Sequence, residues 1–202
     1  MIEKLDEKEM EVATSLVTRG LQRASKALSD VIQTPITIET LDFGSDSLDD
    51  GQFPGLPIEG ESSLLKTEVI GEFKGVCYLI FSESEVEKIS AKCLPASMKS
   101  DNPEQYTMMQ QGFVTEIDNI VSAAVITEFA NYLDCGIYGN VPHLEVLEAS
   151  GIRKYLESET QKYDSLVHFK ARFAGDELDI APYFTWMFQD EFSNQIRAKA
   201  AE

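Results

Sequence analysis

The chain has 202 residues, enough for one substantial domain, and its 43% hydrophobic and 9% aromatic content is that of a packed globular protein. Thirty-five acidic against 17 basic residues leave a net charge of −18 and a pI near 4.4, which disfavours nucleic acid and anionic membranes as partners. No apolar run approaches the roughly 18 residues that span a bilayer, and the N-terminus lacks a signal-peptide core, so no membrane insertion and a cytoplasmic location are expected.

Residues 5 to 32 place Met10, Ala13, Leu16, Val17, Leu21, Ala24, Leu28 and Ile32 at helical spacing, with Gly20 at the centre and Pro35 beyond the end. ITIETL at 36 to 41 alternates like a strand. The Asp-, Gly- and Pro-rich stretch from Asp42 to Glu61 reads as a long acidic loop. It does not fit an EF-hand: with Asp46 first, the third position is Leu48 and the twelfth is Pro57. Ser62 to Phe81 has the pattern of two strands turning around Glu72 to Gly75, and a helix capped by Ser82 with Glu85 follows. Residues 94 to 104 are read as a connector.

Gln110 to Leu133 predicts the second long helix, with Phe113, Ile117, Ile120, Val121, Ala124, Val125 and Phe129 on its apolar side. Gly136 to Pro142 is then a break, His143 to Leu147 a short strand, and 148 to 164 a loop or short helix. Residues 165 to 188 form a second hairpin turning near Gly175-Asp176, and QDEFSNQIRAK closes the chain as a helix. Residues 63 to 89 can be laid over 165 to 196, each running strand, turn, strand, acidic helix start, helix. Each copy follows a long helix that ends before a proline, Pro35 or Pro142. The expected architecture is α+β: one domain over 1–202, built from pseudo-twofold half-repeats at about 5–92 and 104–198. Antiparallel hairpins would form the sheet, with two long helices packed on it.

Few residues carry chemistry. His143 and His168 have no partner at metal-ligand spacing, and His168 falls in strand alternation. No nucleophile elbow, Walker loop or dinucleotide-binding glycine pattern occurs. Cys77, Cys93 and Cys135 are odd in number with no C-x-x-C, and read as buried or free thiols in a reducing compartment. Glu116 and Asn119, three apart, project from one face of the second long helix, flanked by the small residues Gly112 and Ala123. By pattern alone this is either a solvated helix face or a display surface.

The order of elements, with Glu116-x-x-Asn119-Ile120 on the second long helix, the Pro142 break and the Gly175-Asp176 hairpin, resembles the CheC, CheX and FliY family of chemotaxis phosphatases, CheC-like members most. The resemblance covers nearly the whole chain. It implies hydrolysis of the aspartyl phosphate of a CheY-like response regulator. In that reading Asn119 positions the water, Glu116 docks against the regulator's lysine, and Gly112, Thr115 and Ala123 contact the regulator. No cofactor is implied for this chain, the magnesium being carried by the regulator. A CheD-like protein is a candidate second partner. Two-site members carry the pair on both long helices. Here the equivalent first positions are Ser15 and Thr18, so one site is expected, and Gly112 stands where some members have Asp or Ser. The alternative is a non-catalytic regulator-binding or flagellar-switch scaffold of the same fold, and retention of Glu116 with Asn119 favours the phosphatase.

Overall fold

The computed structural model describes residues 6–44, 56, 59–176 and 178–200. In chain order these form α1 (Glu7–Ile32), β1 (Ile36–Gly44), β2 (Glu61–Gly71), β3 (Gly75–Ser82), α2 (Glu83–Cys93), α3 (Ala96–Asp101) and α4 (Pro103–Leu133). Then follow β4 (Ile137–Gly139), β5 (His143–Glu148), α5 (Ala149–Thr160), β6 (Ser165–Gly175), β7 (Leu178–Ile180), β8 (Tyr183–Phe188) and α6 (Asp190–Ala200). The class is α+β. One antiparallel sheet runs β1-β6-β8-β3-β2-β4, with β5 also on β2 and β7 also on β6.

The near-continuous apolar runs of β3 and β8 become its two adjacent central strands, buried on both faces. One face carries the larger core. Leu65, Cys77, Leu79, Phe169, Phe184 and Trp186 meet Leu16, Leu21 and Leu28 of α1 and Val121, Val125 and Phe129 of α4 there. Phe129 sits among Trp186, Phe188 and Phe192, with ring centroids 5.1 to 6.2 Å away. Such aromatic groups dominate core energetics through buried area and edge-to-face contact.

Several expected boundaries move. The connector at 94–104 holds α3 and the first turn of α4, because Asn102 caps the helix from Gln105 N–H (3.2 Å) and Pro103 takes the first helical position, where its missing N–H costs nothing. α4 ends at Asp134 in the left-handed region, and β4 intervenes before Pro142, so Pro142 is not the helix stop. The segment 148–164 is mainly one helix, α5, whose Ala149, Ile152, Leu156 and Glu159 are buried at three- and four-residue steps. It covers the opposite face of the sheet, over Leu64, Tyr78, Ile80 and Leu166. There Glu159 accepts from Tyr78 Oη (2.8 Å) and pairs with Lys66 Nζ (3.3 Å) and Lys162. Burial pushes its carboxyl up, but the hydrogen bonds from Lys162, Tyr78 and Lys66 outweigh this and hold it below the ordinary value. β1 runs on to Gly44, past the predicted end, and the EF-hand test positions from Asp46 on lie outside the described residues apart from Leu56.

α1 and α4 are antiparallel neighbours. Gly20 of α1 packs on Val125 of α4 so closely that a Cβ would lie 2.6 Å from the Val125 Cα. Arg19 and Arg23 clamp Glu128 one turn further on, at 3.3 and 3.1 Å. At the start of α1, Asp6 and Glu9 form a reciprocal cap, and the buried Glu9 carboxylate also holds Arg197 of α6 at 2.6 Å. Because backbone cannot move aside as a flexible side chain can, Gly20→Ala should lower stability by about 1–3 kcal/mol despite the better helix propensity of alanine. A urea midpoint equal to or above wild type would show that the helices separate without cost.

Candidate functional site

The site is set by how α4 is rotated about its axis. Asp118 is fully buried and points at the sheet, where its carboxylate accepts from Thr67 Oγ1 on β2 (2.6 Å) and from Ser122 Oγ one turn on (3.1 Å). At about 100° per residue, Glu116 lies about 160° from Asp118 and Asn119 about 100° from it, on the side away from the sheet. Both are exposed, and among the described residues no hydrogen bond or ion pair occupies either side chain. Gly112 and Ala123 extend the same face in the two directions and are also exposed. Thr115 is half-buried, and its hydroxyl is spent on the Gln111 carbonyl (2.7 Å). The result is a free carboxylate, which accepts only, beside a free amide, which donates and accepts.

Gly112 differs from Gly20. Among the described residues a Cβ built on it meets nothing outside its own turns of helix within 4 Å, so their packing does not require glycine there. Glycine inside a helix costs about 1 kcal/mol relative to alanine. Beside it, Val31 from the end of α1 and Met108, Met109, Phe113 and Glu116 of α4 line an open apolar groove of about 500 Å³. The alternation of the sequence did not single out this groove. Its only advance sign was the pair Met108-Met109, placed where a connector ending at 104 and a helix starting at 110 were expected.

The other candidate positions are separate from this face. Ser15 (exposed) and Thr18 (half-buried) lie on α1, and neither is a carboxylate or an amide. His143 is exposed, with Nε2 3.6 Å from Glu145, while His168 is buried and stacked on Tyr183. Among the described residues no three His, Cys, Asp or Glu side chains converge as a metal site, and no helix is long and apolar enough to cross a membrane. Beneath α4, Cys77 donates to the Thr67 carbonyl (3.3 Å), and burial, then the Asp118 charge, push its thiol up. Burial raises Asp118 to about 6, the bonds from Thr67 and Ser122 opposing the shift.

No family model matches the chain, and no curated protein matches its sequence. In structure it has the fold of FliY, CheX and FliM middle domains. FliY from Thermotoga maritima superposes with a TM-score of 0.71 and 14% identity over 98% of both chains. A chain of the FliG–FliM complex from H. pylori gives 0.63 at 9% identity, over 94% of this chain and 100% of that one. A chain of the CheX–CheY complex with beryllium trifluoride and magnesium from Borrelia burgdorferi gives 0.52 at 15%, over 85% and 96%. At these identities the likeness establishes the fold.

The buried Asp118 gives a signed pH dependence. Between its ordinary value of 3.8 and about 6 the folded protein holds a proton that the unfolded chain has released. The stability this contributes is therefore present below about pH 4 and lost as pH rises through 6, a change on the order of 3 kcal/mol. Asp118→Asn keeps the neutral shape and does not titrate, so its unfolding free energy should match wild type near pH 4 and exceed it by on the order of 3 kcal/mol at pH 7. Parallel curves for the two proteins across pH 4–7 would mean that the carboxyl is not protonated in the fold.

Proposed function

We propose that this protein is a phosphatase acting on the aspartyl phosphate of a CheY-like response regulator. The observation that carries the reading is the exposed, unoccupied Glu116–Asn119 pair, held outward on a rigid helix by the buried contacts of Asp118 on the opposite side. An acyl phosphate already has a reactive bond, and its own protein supplies magnesium and a neutralising lysine. What remains is to place a water in line with the phosphorus. In this reading the Asn119 amide accepts a hydrogen from that water and directs its lone pair at phosphorus, as a glutamine does in GTPases. Water attacks, the P–O bond to the aspartate breaks, and the regulator recovers its carboxylate with release of inorganic phosphate. Glu116 pairs with the regulator's lysine and seats the helix, a charge-assisted contact that strengthens as water is excluded.

Support for the class of partner comes from the fold likeness to a complex in which CheX is bound to CheY with beryllium trifluoride, a phosphoryl mimic, and magnesium. Because Ser15 and Thr18 replace the pair on α1, a single site per chain is proposed. The protein would act in the cytoplasm and carry no cofactor of its own. A second reading, a non-catalytic switch scaffold, is favoured by one observation, the likeness to the FliG–FliM complex.

The two separate in one assay, the decay of phosphorylated CheY-type regulator with magnesium. Wild type should accelerate the decay, Asn119→Ala should slow kcat about 100-fold, and Glu116→Ala should weaken association about tenfold or more. Full activity in Asn119→Ala would remove the assigned role of the amide. Binding without acceleration by wild type would make the scaffold reading the correct one. Addition of a CheD-like protein to the same assay tests the second partner.

A further inference from the structure

We infer that the apolar groove between the end of α1 and the first half of α4 seats an aliphatic or aromatic side chain of the same response regulator, and so selects which regulator is served. The inference rests on the reading above for its partner but not for its chemistry. Met108 and Glu116 are eight residues apart on one helix, about 12 Å along its axis. A stable protein–protein contact covers about 800 Å² on each partner, a patch about 30 Å across. A patch of that size centred on Glu116 and Asn119 reaches the groove lined by Met108 and Val31 at its margin.

The surface it would meet there is apolar. In a protein of net charge −18, Glu116 is the one charged residue among the described residues that line the groove. Met108 is 67% exposed and Val31 37%, and both are among the few large apolar side chains the described surface leaves in water. Methionine adapts its shape to what it covers, which suits a pocket for a partner's side chain. Gly112 makes the same point from the backbone. Among the described residues, nothing outside its own turns of helix comes within 4 Å of the Cβ it lacks, in contrast to Gly20. The helix accepts a poor helix former at the groove floor, and close approach of an incoming group is what makes use of it.

The test uses Gly112→Leu and Met108→Ser in the full chain, with a CheY-like regulator activated by beryllium trifluoride and magnesium as the binding probe. Three quantities are measured: the urea midpoint, Kd for the activated regulator by calorimetry, and kcat and KM for dephosphorylation. Both variants should fold, Gly112→Leu with a midpoint at or above wild type. Each should raise Kd and KM about tenfold, with kcat at saturating regulator within twofold of wild type. Kd and KM within twofold of wild type in both folded variants would overturn the groove assignment while leaving the phosphatase reading intact. Loss of kcat without a change in Kd would likewise overturn it. If wild type binds without accelerating decay, the catalytic reading fails and the Kd comparison still decides the groove. If wild type binds none of the regulators tried, both fall. A concentration-dependent dimer of wild type that Gly112→Leu dissociates, with Kd unchanged, would make a second copy of this chain the occupant and overturn the regulator assignment.

Discussion

The hydrogen bond from Thr67 to Asp118 is the constraint on which the functional face depends. The buried side of the 31-residue α4 runs through Val114, Ile117, Asp118, Val121, Ser122, Val125 and Phe129, so a carboxylate lies within its apolar stripe. Burial of area is not directional, but a buried carboxylate is. Turning α4 by one residue would carry Asp118 away from the Thr67 hydroxyl, either to the buried place of Ile117, where it is an unpaired polar group, or to the exposed place of Asn119, which leaves the buried Thr67 hydroxyl without its acceptor. The rotation that satisfies Asp118 places Glu116 and Asn119 in water. The carboxylate whose ionisation the fold penalises is thus what orients the two side chains that leave the helix unencumbered.

The Gly20–Val125 contact complements this. Rotation is set from the sheet side, whereas position along and against α1 is set by the near-touching backbones and by Arg19 and Arg23 on Glu128. The groove exists because the same two helices, so close at Gly20, leave Val31 and Met108 apart from other cover at their far ends. Two glycines in two helices thus act oppositely, one closing a contact and the other leaving a space open.

Much of this was legible in the sequence, for physical reasons that differ by element. Long helices with strict three- and four-residue apolar steps, and hairpins with polar turns, announce themselves because one face must be buried and the other wet. Glu116 and Asn119 could be placed on one exposed face by counting. Asp118 falls by the same count in the stripe of Val114, Val121 and Val125, but what makes a carboxylate tolerable there is Thr67, 51 residues away, and nothing local marks that contact. α5 was obscured because its buried face includes Glu159, a charge made tolerable only by Tyr78, Lys66 and Lys162 from distant or later positions. The start of α4 was hidden by Pro103, which reads as a breaker inside a helix yet is well suited to its first turn. The groove could not be read as such because it belongs to two helices at once, and Met108-Met109 marks only the wall that α4 supplies.

The margin of the sheet at β2 has a consequence for how the protein behaves in a crowded solution. A long, flat outer strand offers a row of free backbone groups to which another chain can add, the first step of edge-to-edge aggregation. Here the outer position beside β2 is shared by two pieces, three residues of β4 and six of β5, interrupted at Val141-Pro142. Proline has no N–H to extend a ladder, and His143, Glu145 and Glu148 put ionisable groups along the piece that remains. An intruding strand would find charged groups beside the exposed Tyr138, Val141 and Val146, and no continuous register. The break that ends the pairing of β4 with β2 also keeps this margin from recruiting further strands.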